Sequence, residues 1–185
     1  MNLFNWNMIM KKTLYSILML VGLLVAFTSC EKEEIENTAT VELAGDWYVT
    51  FDAATADGEV MYEDPFGVGY VHLLTYNTAA NNPTEMFVSD LGNFWDFTCK
   101  VQCDVNALTF GCNNVYIYTD DDGEDVYCTI TGGKVVKNGI KTPSGADADY
   151  IEFYVTFTDD PYPGAYGWSS YKVSGFRYTG FTDDE

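Results

Sequence analysis

Basic residues are scarce in this chain of 185 residues: Lys and Arg together number nine, with one histidine, against 28 acidic residues. The formal net charge of -19 excludes a protein that gains affinity by meeting phosphates with clustered cations, so nucleic acid is not an expected partner. Apolar runs of spanning length are missing too. The run from Leu14 to Phe27 has 14 residues, whereas a bilayer-crossing helix needs about 20. From Val41 onward no useful window keeps a 3.6-residue apolar period, which leaves little room for amphipathic helices. The five prolines (Pro65, Pro83, Pro143, Pro161, Pro163) fall between runs that read as strands, where a missing N–H costs no ladder bond. What is plentiful is apolar and aromatic content, 47% and 16% of the chain, which excludes disorder.

The N-terminus reads as an address. Lys11-Lys12 precedes the 14-residue run, whose length fits a signal-peptide core. The run leads into Ala26-Phe27-Thr28-Ser29-Cys30, which resembles the lipobox at which bacterial lipoproteins are cleaved. The expected organisation is a lipoprotein signal peptide over residues 1–29, a lipidated acidic tether over 30–40, and one domain over 41–185. Acyl chains on Cys30 would anchor the protein at about 0.8 kcal/mol per buried methylene, and Cys30 is the only expected membrane contact. Glu31-Lys32-Glu33-Glu34 resembles the tag that sends some Gram-negative lipoproteins to the outer face, so the expected location is the outer membrane, cell-surface exposed.

The domain reads as all-β. Trp47, Val49 and Phe51 alternate with Tyr48, Thr50 and Asp52, and Ile151, Phe153, Val155 and Phe157 share one face of Tyr150–Thr158. Further strands are predicted over Gly69–Asn77, Met86–Ser89, Phe94–Cys103, Leu108–Tyr118 and Tyr171–Phe181. Val126–Thr131 and Lys134–Lys137 flank Gly132-Gly133, a two-residue hairpin signal. That makes about eight antiparallel strands. Gly45-Asp46-Trp47 on the first strand and Arg177 on the last are similar to a pairing of closed calycin barrels, in which a basic side chain covers the Trp. The pair predicts a single calycin-like closed barrel, with Trp47 and Arg177 closing it.

A wider resemblance runs through Leu43–Val49, Asn93-Phe94-Trp95, Leu108-Thr109-Phe110, Gly132–Val135, Asp149–Phe153 and the closing segment Tyr171–Phe181. Together these resemble the lipid-binding putative hydrolase family of secreted Gram-negative lipoproteins. The resemblance implies a calycin-like barrel and a lipid or other small apolar or amphipathic ligand, and it carries no catalytic residue over. Inward aromatics Trp47, Trp95, Phe97, Phe110, Phe153 and Phe157 are the candidate ligand lining.

Catalytic machinery is thin. There is no Gly-x-Ser-x-Gly elbow, and His72 is the one available imidazole base. The expectation is therefore a binding protein rather than an enzyme, with no cofactor. Cys99, Cys103, Cys112 and Cys128 are spaced by 4, 9 and 16, which fits no common zinc pattern, so no metal is expected. A turn over Asp104–Ala107 would place Cys99 opposite Cys112, which predicts the disulfides Cys99–Cys112 and Cys103–Cys128. Thr119–Asp125 reads as a charged hairpin turn rather than a calcium loop. The alternative to an internal ligand is surface capture of a glycan or an envelope protein, through Tyr162, Tyr166 and Trp168 in the loop Asp159–Ser170, made adaptable by Gly164 and Gly167.

Overall fold

Alternation turns one face of each strand inward, and these faces wind into a closed barrel. The computed structural model describes residue 11 and residues 37–185. The expected signal segment, Cys30 and the tether through residue 36 lie outside the described residues. The strands are β1 (Gly45–Ala54), β2 (Val60–Tyr62), β3 (Val71–Asn77), β4 (Glu85–Ser89), β5 (Thr98–Asp104), β6 (Thr109–Thr119), β7 (Asp125–Lys141), β8 (Asp147–Phe157) and β9 (Ser170–Arg177). Neighbours pair antiparallel, β1 passes over β2 to reach β3, and β1 closes on β9 from Trp47 opposite Arg177 to Ala54 opposite Ser170. Eight strands make the barrel; β2 is an extra flap on the end of β1. Among the described residues no helix is long and apolar enough to cross a membrane.

The interior is filled by Trp47, Val49, Phe51, Leu73, Met86, Val88, Phe97, Val101, Ile151, Phe153, Val155 and Val173, all buried. Most candidate lining aromatics lie here: Trp47, Phe97, Phe110, Phe153 and Phe157 are core, and Trp95 packs against it. An eight-stranded barrel is narrow enough for side chains alone to fill.

One end is sealed. Arg177 lies 4.3 Å above the Trp47 ring, its Nη1 donates to the Ala44 carbonyl at 2.7 Å, and its Nε donates to Asp149 Oδ2 at 3.1 Å. Trp47 Nε1 donates to Thr75 Oγ1, which donates in turn to the Leu43 carbonyl. Glycine at residue 45 leaves room for the seal, because a Cβ there would push the Arg177 guanidinium aside and crowd the Trp47 ring. The described chain enters at this end, through a turn over Thr38–Leu43.

Three local expectations are corrected. Gly132-Gly133 is not a hairpin: β7 runs straight through it, and the ladder to β8 slips between Thr131 and Lys134. Gly132 has φ +64, and a Cβ on Gly133 would collide with Phe110, so the pair makes a bulge that lets two strands approach. The β5–β6 turn is displaced: Asp104 pairs with Thr109 and Cys103 with Phe110, because Asp104 Oδ1 accepts from the Asn106 and Ala107 amides and draws Leu108 into the turn at φ +55. Finally, the loop before β9 contains a one-turn helix, α1 (Tyr162–Tyr166), that the periodicity did not reveal.

On the outer surface Glu152 accepts from Tyr150 and pairs with Lys134 at 2.9 Å and Lys172 at 3.1 Å. Burial pushes its carboxyl up, but the three donors outweigh it and hold the group down to about 2, below the ordinary 4.5. A depressed carboxylate stabilises the fold above its unfolded pKa, and that contribution is lost as pH falls through the folded one. Urea midpoints should therefore drop as pH falls from about 4.5 toward about 2. Glu152→Gln should flatten the drop, and an unchanged slope would refute the assignment.

Candidate functional site

The end opposite the Arg177 seal is built from loops rich in rings. Here a cavity of about 710 Å³ opens between Tyr62–Phe66 and the segment around α1, where Tyr162, Tyr166 and Trp168 face it. The volume lies within the usual range of small-molecule sites.

Local chemistry positions both walls. Asp64 sits at φ +38, accepts from the Val68 and Gly69 amides and donates its own N–H to Asp52 Oδ1, clipping the Tyr62–Phe66 segment to β1. On the other side Pro161 starts α1, Asp160 Oδ1 accepts from the Tyr162 amide, and Gly167 at φ +90 ends the helix. The turn stacks Tyr166 on Trp168 with centroids 5.4 Å apart and planes 10° apart, and Tyr162 lies against both. Phe66 meets Tyr162 edge-on at 4.9 Å across the opening.

Beneath lies a plug formed by the loop between β4 and β5. Phe94 stacks on Phe51 at 4.1 Å, and Trp95 stacks on Phe157 at 4.9 Å. Buried Asp90 organises this loop: Oδ1 accepts from the amides of Gly92 and Phe97, and Oδ2 from those of Phe94, Trp95 and Asp96. Asp159 accepts from Trp95 Nε1 and from the Tyr118 hydroxyl, which burial and the Asp159 carboxylate push up to about 12.

Beside this site three buried polar groups lie together, Trp168 Nε1, the Tyr171 hydroxyl and the Asp160 carboxylate, with the hydroxyl in contact with both others. Trp168 lines the cavity, and Tyr171 packs against both Trp168 and Phe66. Burial, then the nearby Asp160 carboxylate, push the Tyr171 hydroxyl up. The charged lining residues are Glu63 and Asp64, and no Lys or Arg is among them.

The candidate residues from the sequence are distributed otherwise. The six lining aromatics lie in or against the core and do not line this cavity; its walls come from β2 and the loop after it and from the α1 segment, whose Tyr162, Tyr166 and Trp168 the sequence offers for surface capture. His72 Nδ1 lies 2.8 Å from Asp46 Oδ1 on the barrel exterior, yet among the described residues no serine, threonine or cysteine is hydrogen-bonded to its ring. An imidazole held by a carboxylate without a nucleophile is two parts of a triad. Asp120 Oδ1 accepts from the Asp122 and Glu124 amides, so this carboxylate shapes the β6–β7 turn.

The expected disulfides Cys99–Cys112 and Cys103–Cys128 are both corrected: all four cysteines are free. Cys103 sits at the far end of β5 with its thiol toward the Pro83 carbonyl. Cys128 instead joins Cys99 and Cys112, the last two with sulfurs 3.2 Å apart. Within this group the Cys112 thiol is held well below its ordinary range by contacts from Cys128 and Cys99.

Comparison with known proteins adds one match: the model of a family described as lipid-binding putative hydrolase fits residues 32–182. A search of curated proteins finds no match.

Proposed function

This chain belongs to the lipid-binding putative hydrolase family, and from that premise we propose that it binds the apolar part of a neutral amphiphile in the rim cavity. The observation that carries this reading is the 710 Å³ opening walled by Tyr62, Phe66, Tyr162, Tyr166 and Trp168. Each methylene buried there contributes about 0.8 kcal/mol, so an acyl chain of moderate length supplies most of the affinity. The headgroup meets the rim at Tyr62, Tyr162 and Tyr166, whose hydroxyls suit a hydroxyl or an ester. A free carboxylate is disfavoured by Glu63 and by the net charge of -19.

We also propose that the chain is an outer-membrane lipoprotein anchored by acyl chains on Cys30, which the lipobox-like Ala26-Phe27-Thr28-Ser29-Cys30 supports. A glycan suits the rim less well, because Tyr166 and Trp168 cover one another's faces instead of offering both to a sugar.

The test is quenching of tryptophan fluorescence by a monoacylglycerol carrying bromine on its acyl chain. Saturable quenching is expected, with weaker binding of the matching brominated fatty acid. Phe66→Asp, at a position 38% exposed, should weaken binding at least about tenfold, which corresponds to 1.4 kcal/mol. Equal quenching in Phe66→Asp would remove the cavity from the reading.

A further inference from the structure

Cys99, Cys112 and Cys128 come from three consecutive strands, β5, β6 and β7. Regular pairing would keep two of them apart, since Cys112 pairs with Ile130 and Cys128 with Val115. The β6–β7 ladder slips between Phe110 and Cys112 and again between Cys112 and Val115, and Asn114 adopts φ +51. Bulges re-aim side chains, and here the three sulfurs converge to within 4.8 Å of one another.

The donor set is all sulfur. A cation bonded at about 2.3 Å to three sulfurs in a plane holds them about 4 Å apart, and the observed separations, from 3.2 Å up to the 4.8 Å limit, bracket that spacing. Hard cations such as Ca²⁺ and Mg²⁺ require oxygen ligands, whereas thiolates select soft ions of the Zn²⁺ and Cu⁺ kind. Cys99 and Cys128 are buried, while Cys112 is partly exposed and provides the route of entry.

We infer that Cys99, Cys112 and Cys128 form a three-thiolate binding site for one soft, thiophilic cation in the barrel wall. On binding, each thiol still protonated releases its proton to solvent and forms a bond to the metal; no electrons are transferred. A divalent ion leaves one net negative charge at the site.

The test titrates the full chain, purified with reductant, with Cd²⁺ alone, and follows thiolate-to-metal charge-transfer absorption. Saturation at one equivalent is expected. Cys112→Ser should weaken binding by more than the roughly 10–100-fold that loss of an outer-shell partner costs. Cys103→Ser, which removes a thiol outside the cluster, should leave the curve unchanged. Cys128→Val keeps the core apolar and repeats the test if the serine variant fails to fold. The assignment is overturned by an absent charge-transfer band, by equal weakening in Cys103→Ser, or by a Cys99–Cys112 disulfide in protein isolated without reductant.

Discussion

Trp47→Ala is expected to lower unfolding stability by about 3–5 kcal/mol, a large share of the 5–15 kcal/mol that holds a typical domain. The side chain is fully buried beneath Arg177, and its loss leaves a cavity that the narrow barrel cannot collapse around. The cation–π contact accounts for the smaller part, about 0.5–2 kcal/mol, and burial for the rest. Arg177→Met should therefore cost less than Trp47→Ala, although it also strands the Ala44 carbonyl and leaves Asp149 to Lys137. Denaturant midpoints of the two single variants and the double variant isolate the coupling. Equal costs for the two single variants would show that the guanidinium, not the indole, dominates the seal.

Asp90→Ala is expected to unlock the aromatic plug. Five amides would lose their acceptor at once. The buried Phe97 amide alone costs about 1–3 kcal/mol as an orphan and the partly buried others can turn to water, so the loop should open instead of remaining folded with bare donors. Hydrogen exchange at Gly92–Phe97 should accelerate by about a hundredfold or more, the equivalent of 2.7 kcal/mol, while β8 amides change far less. Asp90→Asn, which keeps one good acceptor oxygen, should fall between. Unchanged exchange in Asp90→Ala would show that the rings alone hold the loop. Opening should also loosen the cavity floor, since Phe66 packs on Phe94.

The closed barrel was legible in the sequence because its markers are short-range patterns with rigid consequences. Alternation in β1 and β8 fixes which residues face inward, and a tryptophan on the first strand beside a cation on the last makes sense only if those strands meet. The cavity left half a trace: Tyr162, Tyr166 and Trp168 stand out as a ring-rich loop for surface capture, but nothing points to the Tyr62–Phe66 wall facing them. Its walls lie about a hundred residues apart, in segments shaped by Asp64, Pro161 and Gly167 and lacking any period. Asp90 was the missed signal: an aspartate just before Leu-Gly-Asn is a turn former, but nothing local announces five amides on one carboxylate. The approach of Cys99 to Cys112 was legible from the β5–β6 hairpin, but the third thiol, Cys128, reads as the partner of Cys103, and its place was hidden for a related reason. Spacing along the chain says little about neighbours across strands, and slips in β6 decided which cysteines met.

The pairing of β1 with β9 has a bearing on how many copies can sit side by side. An open sheet ends in rows of bare N–H and C=O groups onto which another molecule can add a strand, the route to fibrillar self-association. Here β1 and β9 cover one another's edges, and the flap Val60–Tyr62 is too short to template a strand, but β5 meets β6 only over Gln102–Asp104 and leaves the rest of β6 without a partner on that side. Self-association by strand addition should thus begin at β6 and not at the β1–β9 seam.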